Sequence, residues 1–360
     1  MYQFSIPMPI NRVLIDEVDA VNKNFSLSKI NNFYFALPLG CDKSTGFENV
    51  RYPFKMETDY NYWRDLFSYS LDKGFSFTYL LNSHFPFYST TESLDTKWKK
   101  LDILLKDLYK IGVHQLRIAN IPLLQYVIKN YPEFTIFGST LFEYTQLGQY
   151  ENFHFLFPQV KEIVPSYEVN RNFKLLKNLQ KYLRDVDIEL MVNENCAAGC
   201  PMRIAHAINT AGDILPENII NKNFYFDKCD LIMDKNLYLY ACKTRSILPW
   251  NIKEYSKIGI NKFKIVGRDR LSYMDGSFVS YCETYFKGIE DYKSIEDYNL
   301  DSLIYIPRMK QTNLRIKDIR NLLPQINHFV KKGHLCASVC GHECTYCYKC
   351  AEKIKKLFGD

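Results

Sequence analysis

Glu189-Leu-Met-Val-Asn-Glu-Asn-Cys196-Ala-Ala-Gly-Cys200-Pro-Met-Arg203-Ile-Ala-His206 runs from a short apolar strand through two cysteines into a helix. Proline is favoured at the first helical position, where its missing N–H would have no partner anyway, so Pro201 predicts a helix start with Cys200 at or beside the N-cap. Both sulfurs then sit where a strand ends and a helix begins. Unpaired backbone donors and the positive end of a helix dipole favour an anionic thiolate or metal-thiolate centre there.

Outward from this stretch, strands and amphipathic helices alternate. Residues 170–184 carry Leu175, Leu176, Leu179 and Leu183 on one helical face and lead into a strand at 188–192. Earlier, 33–37 reads as a first strand and 74–81 as a second. Helix 97–111, with Leu101, Leu104, Leu105, Leu108 and Ile111 at helical spacing before Gly112, leads to strand 113–119. Helix 123–129, strand 134–137, helix 141–149 and strand 161–165 continue the pattern, and helix 250–258 with strand 259–268 repeats it later. Such alternation implies parallel βαβ units, so the expected class is α/β: a TIM-like (β/α) barrel with a small cysteine-rich C-terminal module. Seven strands are legible, one short of a closed barrel. An open doubly wound sheet is the alternative, but no Gly-x-Gly-x-x-Gly follows the first strand. The expected organisation is a barrel over 1–290, a linker and amphipathic helix over 291–330, with the helix at 315–329, and a cysteine-rich module over 331–360. Residues 213–249, with polar turns, are read as a segment that crosses the barrel mouth.

At 360 residues, 47% hydrophobic and 24% charged, the chain accommodates one barrel of about 250 residues plus an appendage. No run of about 18 apolar residues occurs, and the first residues lack a basic region followed by a continuous apolar one, so a cytoplasmic protein with no membrane span is expected. Eleven cysteines, an odd number clustered at short spacings, argue for metal ligation over a disulfide framework. Residues 301–360 hold 11 Lys and Arg against 5 Asp and Glu, which accounts for the whole net charge of +6. A basic tail suits RNA, while thiolates of a metal site would cancel much of that charge.

Residues just past the carboxyl ends of barrel strands face the active site. Cys196 and Cys200, Glu168, Ser139, Thr140, Asn120 and Arg268 hold such positions. Two cysteines are too few for a metal site, so Cys229, Cys242 and Cys41 are the available third and fourth ligands, and four thiolates suit zinc or an iron-sulfur cluster. Cys282, within a helical run, reads as core. Arg203 and His206, three residues apart, share a helix face and suit an anion or substrate contact. Lys264 and Arg268 flank Gly267 at a strand end and suit a carboxylate or phosphate. In the tail, Cys336-Ala-Ser-Val-Cys340-Gly-His342-Glu-Cys344-Thr-Tyr-Cys347-Tyr-Lys-Cys350 places five cysteines in a short span. The Cys344-x2-Cys347-x2-Cys350 run suits an iron-sulfur cluster or a structural zinc, with Cys336, Cys340 or His342 completing the set. Gly-x-Ser-x-Gly, His-Glu-x-x-His and Walker sequences are absent, which counts against the common hydrolases.

Residues 189–206, the upstream Ser139-Thr140 and Pro165-Ser-Tyr-Glu168, and the downstream Ile252-Lys-Glu-Tyr-Ser-Lys-Ile-Gly-Ile-Asn-Lys-Phe-Lys-Ile-Val-Gly-Arg268 together resemble the collagenase-like peptidase family U-32 in order and spacing, across roughly residues 110–290. The resemblance implies a TIM-like barrel whose cysteines bind a 4Fe-4S cluster in several members, which support oxygen-independent hydroxylation of a ubiquinone precursor or of tRNA and ribosomal RNA bases. The chain departs from those members in its Cys-x3-Cys pair followed by Pro and in Arg268 after Ile-Val-Gly. Cys41 sits about where one ubiquinone-pathway member places its first ligand. The expectation is therefore an iron-sulfur protein in which Cys196, Cys200, Cys229 and Cys242 hold the cluster and Glu168, Arg203, His206, Lys264 and Arg268 face a small-molecule substrate or RNA, with an electron-donor protein as a further partner. A second iron-sulfur cluster or structural zinc is expected in the C-terminal module. A metal-dependent peptidase and an RNA-modification protein using the basic tail are the alternatives.

Overall fold

The computed structural model describes residues 1–36, 59–83, 93–194, 196–211, 224–234, 237–267, 277–303, 314–323 and 344–358. Eight strands close a parallel barrel in sequence order: β1 Tyr2–Pro7, β2 Ser28–Phe35, β3 Ser76–Leu81, β4 Gln115–Ile118, β5 Thr135–Gly138, β6 Val160–Ile163, β7 Asp187–Met191 and β8 Lys262–Lys264. The strand that was not legible is β1. Two prolines in Ile6-Pro-Met-Pro-Ile10 argue against a strand, yet Pro7 only ends it.

Side chains alternate across each strand. Phe4, Phe33, Phe35, Phe77, Leu116, Ile136, Ile188 and Phe263 pack in the large buried cluster between sheet and helices. The opposite face points to the barrel axis and is polar. Gln3, Ser5, Asn32, Ser76, Thr78, Gln115, Arg117, Glu162, Glu189 and Lys262 line a cavity there. Arg117 is its centre: Nη2 donates to Glu162 Oε1, and Nη1 lies 2.9 Å from Glu189 Oε2 without hydrogen-bond alignment. Lys262 reaches Glu162 at 2.9 Å and Asp187 at 2.7 Å, while Ser5 donates to Glu189. Burying ions costs several kcal/mol each unless they are paired, and here each carboxylate faces a cation.

Around the barrel lie α1 Arg12–Asn24, α2 Tyr60–Asp72, α3 Leu94–Lys110, α4 Ile121–Asn130, α5 Leu147–Leu156, α6 Phe173–Tyr182, α7 Arg203–Ala211, α8 Phe224–Asp234, α9 Leu237–Lys243, α10 Ile252–Ser256, α11 Ser277–Glu290, α12 Ile316–Ile319 and α13 Tyr346–Phe358. Side-chain caps set many starts: Asn11, Asn120 and Asn172 accept from Leu14, Leu123 and Leu175 N–H at 2.9–3.0 Å. Three helix readings are corrected. The expected helix over 141–149 is a 3-10 turn at Thr140–Phe142 followed by α5, whose start Gln146 and Gln149 close reciprocally. The expected helix over 170–184 splits into a 3-10 turn at Tyr167–Arg171 and α6. Pro201 opens a turn, and α7 begins at Arg203.

The segment read as crossing the mouth supplies α8 and α9. Of the expected helix over 315–329, α12 is described, and 324–329 lies outside the described residues, as do Cys41, Arg268, Cys336, Cys340 and His342. The tail helix α13 packs on α9 with Cys347, Cys350, Ala351 and Ile354 buried. Among the described residues no helix is long and apolar enough to cross a membrane.

Candidate functional site

The segment after β7 crosses the carboxyl end of the barrel. Gly199 takes φ +71°, a left-handed conformation that glycine adopts without steric cost, and its N–H donates to Glu168 Oε1 at 2.7 Å. Arg245 Nε lies 3.3 Å from the other oxygen of Glu168. Glu168 therefore anchors the cysteine loop.

Cys196 and Val266 pack against the cluster of Val164, Tyr167 and Met191, and Tyr167 donates its hydroxyl to the Cys196 carbonyl. Arg203, at the start of α7, turns inward. Its Nε donates to Glu143 Oε1 at 2.6 Å, its guanidinium lies 4.3 Å above the Tyr167 ring, and its side chain is about nine-tenths buried. Ser166 holds the second Glu143 oxygen at 2.6 Å. Burial works against the Arg203 charge, but Glu194, Cys196 and Glu143 outweigh it and keep the guanidinium protonated. Burial, reinforced by Glu194, pushes the Cys196 thiol up to about 12. Glu143 has φ 53°, the one positive φ at a non-glycine among the described residues. Strain of this kind costs about 1–3 kcal/mol and persists where the surroundings enforce it, here the two bonds to its carboxylate.

Cys200, on the same loop, and Cys229 of α8 both pack against the pair Ala197 and Tyr240. A hydrogen bond from Cys229, assisted by the Met202 backbone, lowers the Cys200 thiol to about 6 despite partial burial. Loop and helix thus bring Cys200 and Cys229 together, with Cys196 near enough to Cys200 for their charges to interact. Cys242 is elsewhere. It is fully buried on α9, its carbonyl accepts from Arg171 Nη1 at 3.0 Å, and the thiols that raise its pKa, after burial itself, are Cys347 and Cys350 of the tail. Among the described residues no group of three or more His, Cys, Asp or Glu side chains is placed to hold a metal ion.

His206 stacks on Tyr225 of α8 at 4.9 Å and 8°, which ties α7 to α8. Lys264 is buried inside the barrel, its Nζ 3.8 Å from the Tyr34 ring centroid, where it helps to hold Glu189 ionised. Ser139 and Asn120 accept locally from Leu141 N–H and Leu123 N–H, while Thr140 donates across to the Pro165 carbonyl after the next strand. Cys282 is core, at 0% exposure. Sequence reasoning missed Glu143, Tyr167, Arg245 and Glu194. Tyr167 lies within the quoted Pro165-Ser-Tyr-Glu168, whereas nothing local marks Glu143.

The fold and this site define a class: a parallel eight-stranded barrel with thiols at its carboxyl-end mouth. No known family profile matches the chain. An uncharacterized protease of Methanocaldococcus jannaschii is 26% identical over 201 residues, 55% of this chain and 54% of the relative. The chain thus spans about half the length of that curated relative. A solved U32 peptidase superposes with TM-score 0.49 at 13% identity, over 74% of this chain and 92% of that one. N-(5'-phosphoribosyl)anthranilate isomerase from Pyrococcus furiosus superposes with TM-score 0.37 at 6% identity, over 81% and 99%. The chain is thus similar to a protein named a protease and, in fold, to a barrel named a U32 peptidase.

Proposed function

We propose that this chain is an iron-sulfur protein of the U-32 kind that acts in oxygen-independent hydroxylation, or a related redox modification, of a small molecule or an RNA base. What carries the reading is the placement of Cys196 and Cys200 on one strand-to-helix loop, with Cys229 of a separate helix against Cys200, at the end of a barrel where chemistry is done. Binding a cluster would draw Cys196, Cys200 and Cys229 closer than they stand and would take the proton from Cys196; the Cys200 thiol, lowered to about 6, and the buried Arg203 charge beside Cys196 support it. When bound, the cluster supplies electron transfer if four thiolates hold it, or a Lewis-acid iron if three do.

The protein's own residues hold and insulate. Glu168 fixes the cysteine loop through Gly199, and Glu143 with Ser166 fixes Arg203. Tyr167 packs on Cys196 and holds its carbonyl through the hydroxyl. Soluble peptide substrates separate this reading from the peptidase that the relative's name suggests. Protein freed of iron should leave casein and collagen peptides intact; robust cleavage without iron would overturn the proposal. A second reading, RNA modification, is favoured by exposed Lys353, Lys355 and Lys356 on α13. It expects salt-dependent tRNA binding that weakens when the three are neutralised, and unchanged affinity would remove the tail from that role.

A further inference from the structure

A pocket of about 130 Å³ opens at the amino-terminal end of the barrel, away from the cysteine loop. Tyr2, the first residue of β1, forms one wall, and the turn at Pro249–Asn251, the end of α11 and Arg320 just after α12 form the others. Glu290 fixes this position, since it accepts from the N–H groups of Ser26 and Leu27 immediately ahead of β2. The Arg320 guanidinium lies 3.5 Å from the Tyr292 ring centroid and 5.7 Å from that of Trp250. Its Nε is buried without a hydrogen-bond partner. Among the described residues neither Arg320 nor the exposed Lys253, the second cation of the lining, pairs with a carboxylate. The two acids of the lining are instead engaged by backbone, Glu290 as above and Asp291 by Lys293 N–H at 3.0 Å.

A guanidinium laid on a ring keeps its N–H donors at the edge of the stack, in the planar fork that takes a carboxylate or phosphate by two bonds. Trp250 and Tyr2 offer ring surface beside it. The pocket is close in size to the roughly 150 Å³ cavity that takes one benzene ring. We propose that it binds an oxyanion carried on a single aromatic ring, with the carboxylate or phosphate at Arg320, Lys253 in support, and the ring against Trp250 and Tyr2. This is a second ligand site, at the opposite end of the barrel from Cys196 and Cys200. It stands whether or not a cluster occupies the mouth.

Equilibrium dialysis of the full chain against benzoate and phenyl phosphate tests both halves of the site, with acetate, inorganic phosphate and benzyl alcohol as probes that carry only the anion or only the ring. At least one of the two ringed anions should bind saturably, about tenfold or more tighter than any of the three partial probes, and the tighter of the two identifies the oxyanion. Arg320→Gln should weaken that binding by about tenfold or more, and Lys253→Ala by a smaller factor because its charge is exposed. No saturable binding of either ringed anion, binding no tighter than that of the partial probes, or binding that Arg320→Gln leaves unchanged overturns the proposal; Arg320 is then only a clamp between α12 and the rings it stacks on. Should Arg320→Gln fail to fold, the indole N–H resonances of the wild type decide the matter. The tighter ringed anion should shift that of Trp250 and leave those of Trp63 and Trp98 in place, and a Trp250 resonance that does not move overturns the site.

Discussion

Cys200 has its thiol lowered, whereas burial raises those of Cys196, Cys242 and Cys282. The Cys229 hydrogen bond brings the Cys200 thiol to about 6, so in metal-free protein it is a thiolate at neutral pH. Its alkylation rate should rise with a midpoint near pH 6. Cys229→Ala should move that midpoint back toward the ordinary thiol value, and a midpoint unaffected by the substitution would show that another group lowers it. Glu143 offers a second residue-level test. Truncation leaves Arg203 charged and buried without its carboxylate, at a cost of about 3–5 kcal/mol. Glycine at 143 also relieves the left-handed backbone, so Glu143→Gly should be about 1 kcal/mol less destabilising than Glu143→Ala in urea unfolding. Equal losses would mean that the φ of 53° stores no strain.

Helices and strands were legible where their faces were regular. Leu101, Leu104, Leu105 and Leu108 announced α3, and the 188–192 run announced β7. Legibility failed at β1 because prolines masked a short strand, and at 140–171 because 3-10 turns imitate helical spacing over a few residues. Packing between elements is invisible in one sequence, and Gly288 on α11 illustrates it. A methyl group there would meet Pro249 Cβ at 2.9 Å and collide with Ile295 Cδ1. Gly288→Ala should therefore destabilise by about 1–3 kcal/mol from overpacking, although alanine is the better helix former. A stabilised variant would mean that α11 and the 249–251 turn shift apart easily.

At the scale of the whole molecule, a barrel with a charged axis stands on Arg117. Arg117→Met removes the cation shared by Glu162 and Glu189 and leaves only Lys262 and Lys264 to offset them, and a loss of about 3–5 kcal/mol in denaturant unfolding is expected. Burial opposes the Glu189 charge, but Arg117, Lys264 and Ser5 hold its carboxyl below the ordinary value of 4.5. Its contribution to stability is thus present above that ordinary value and lost as pH falls through the lowered one. Glu162 runs the other way, raised by burial and by Glu189, so its ionisation weakens the fold as pH rises. Of the site, the sequence disclosed the residue types and the strand ends that carry them: Cys196, Cys200, Glu168 and Arg203 all lie at the mouth. It could not disclose that α13 returns to α9, because that contact joins segments far apart in the chain and leaves no local periodicity. His206 and Lys264 show the same limit, since their partners Tyr225 and Tyr34 are set by tertiary packing.

The most direct measurement is the iron and acid-labile sulfide content of protein purified without air, with its visible spectrum, for wild type and Cys196→Ala. About four iron and four sulfide at the mouth, lost in the variant while any tail metal is kept, is the expected result. Zinc alone, with no sulfide and no change in Cys196→Ala, would contradict an iron-sulfur centre at the barrel mouth.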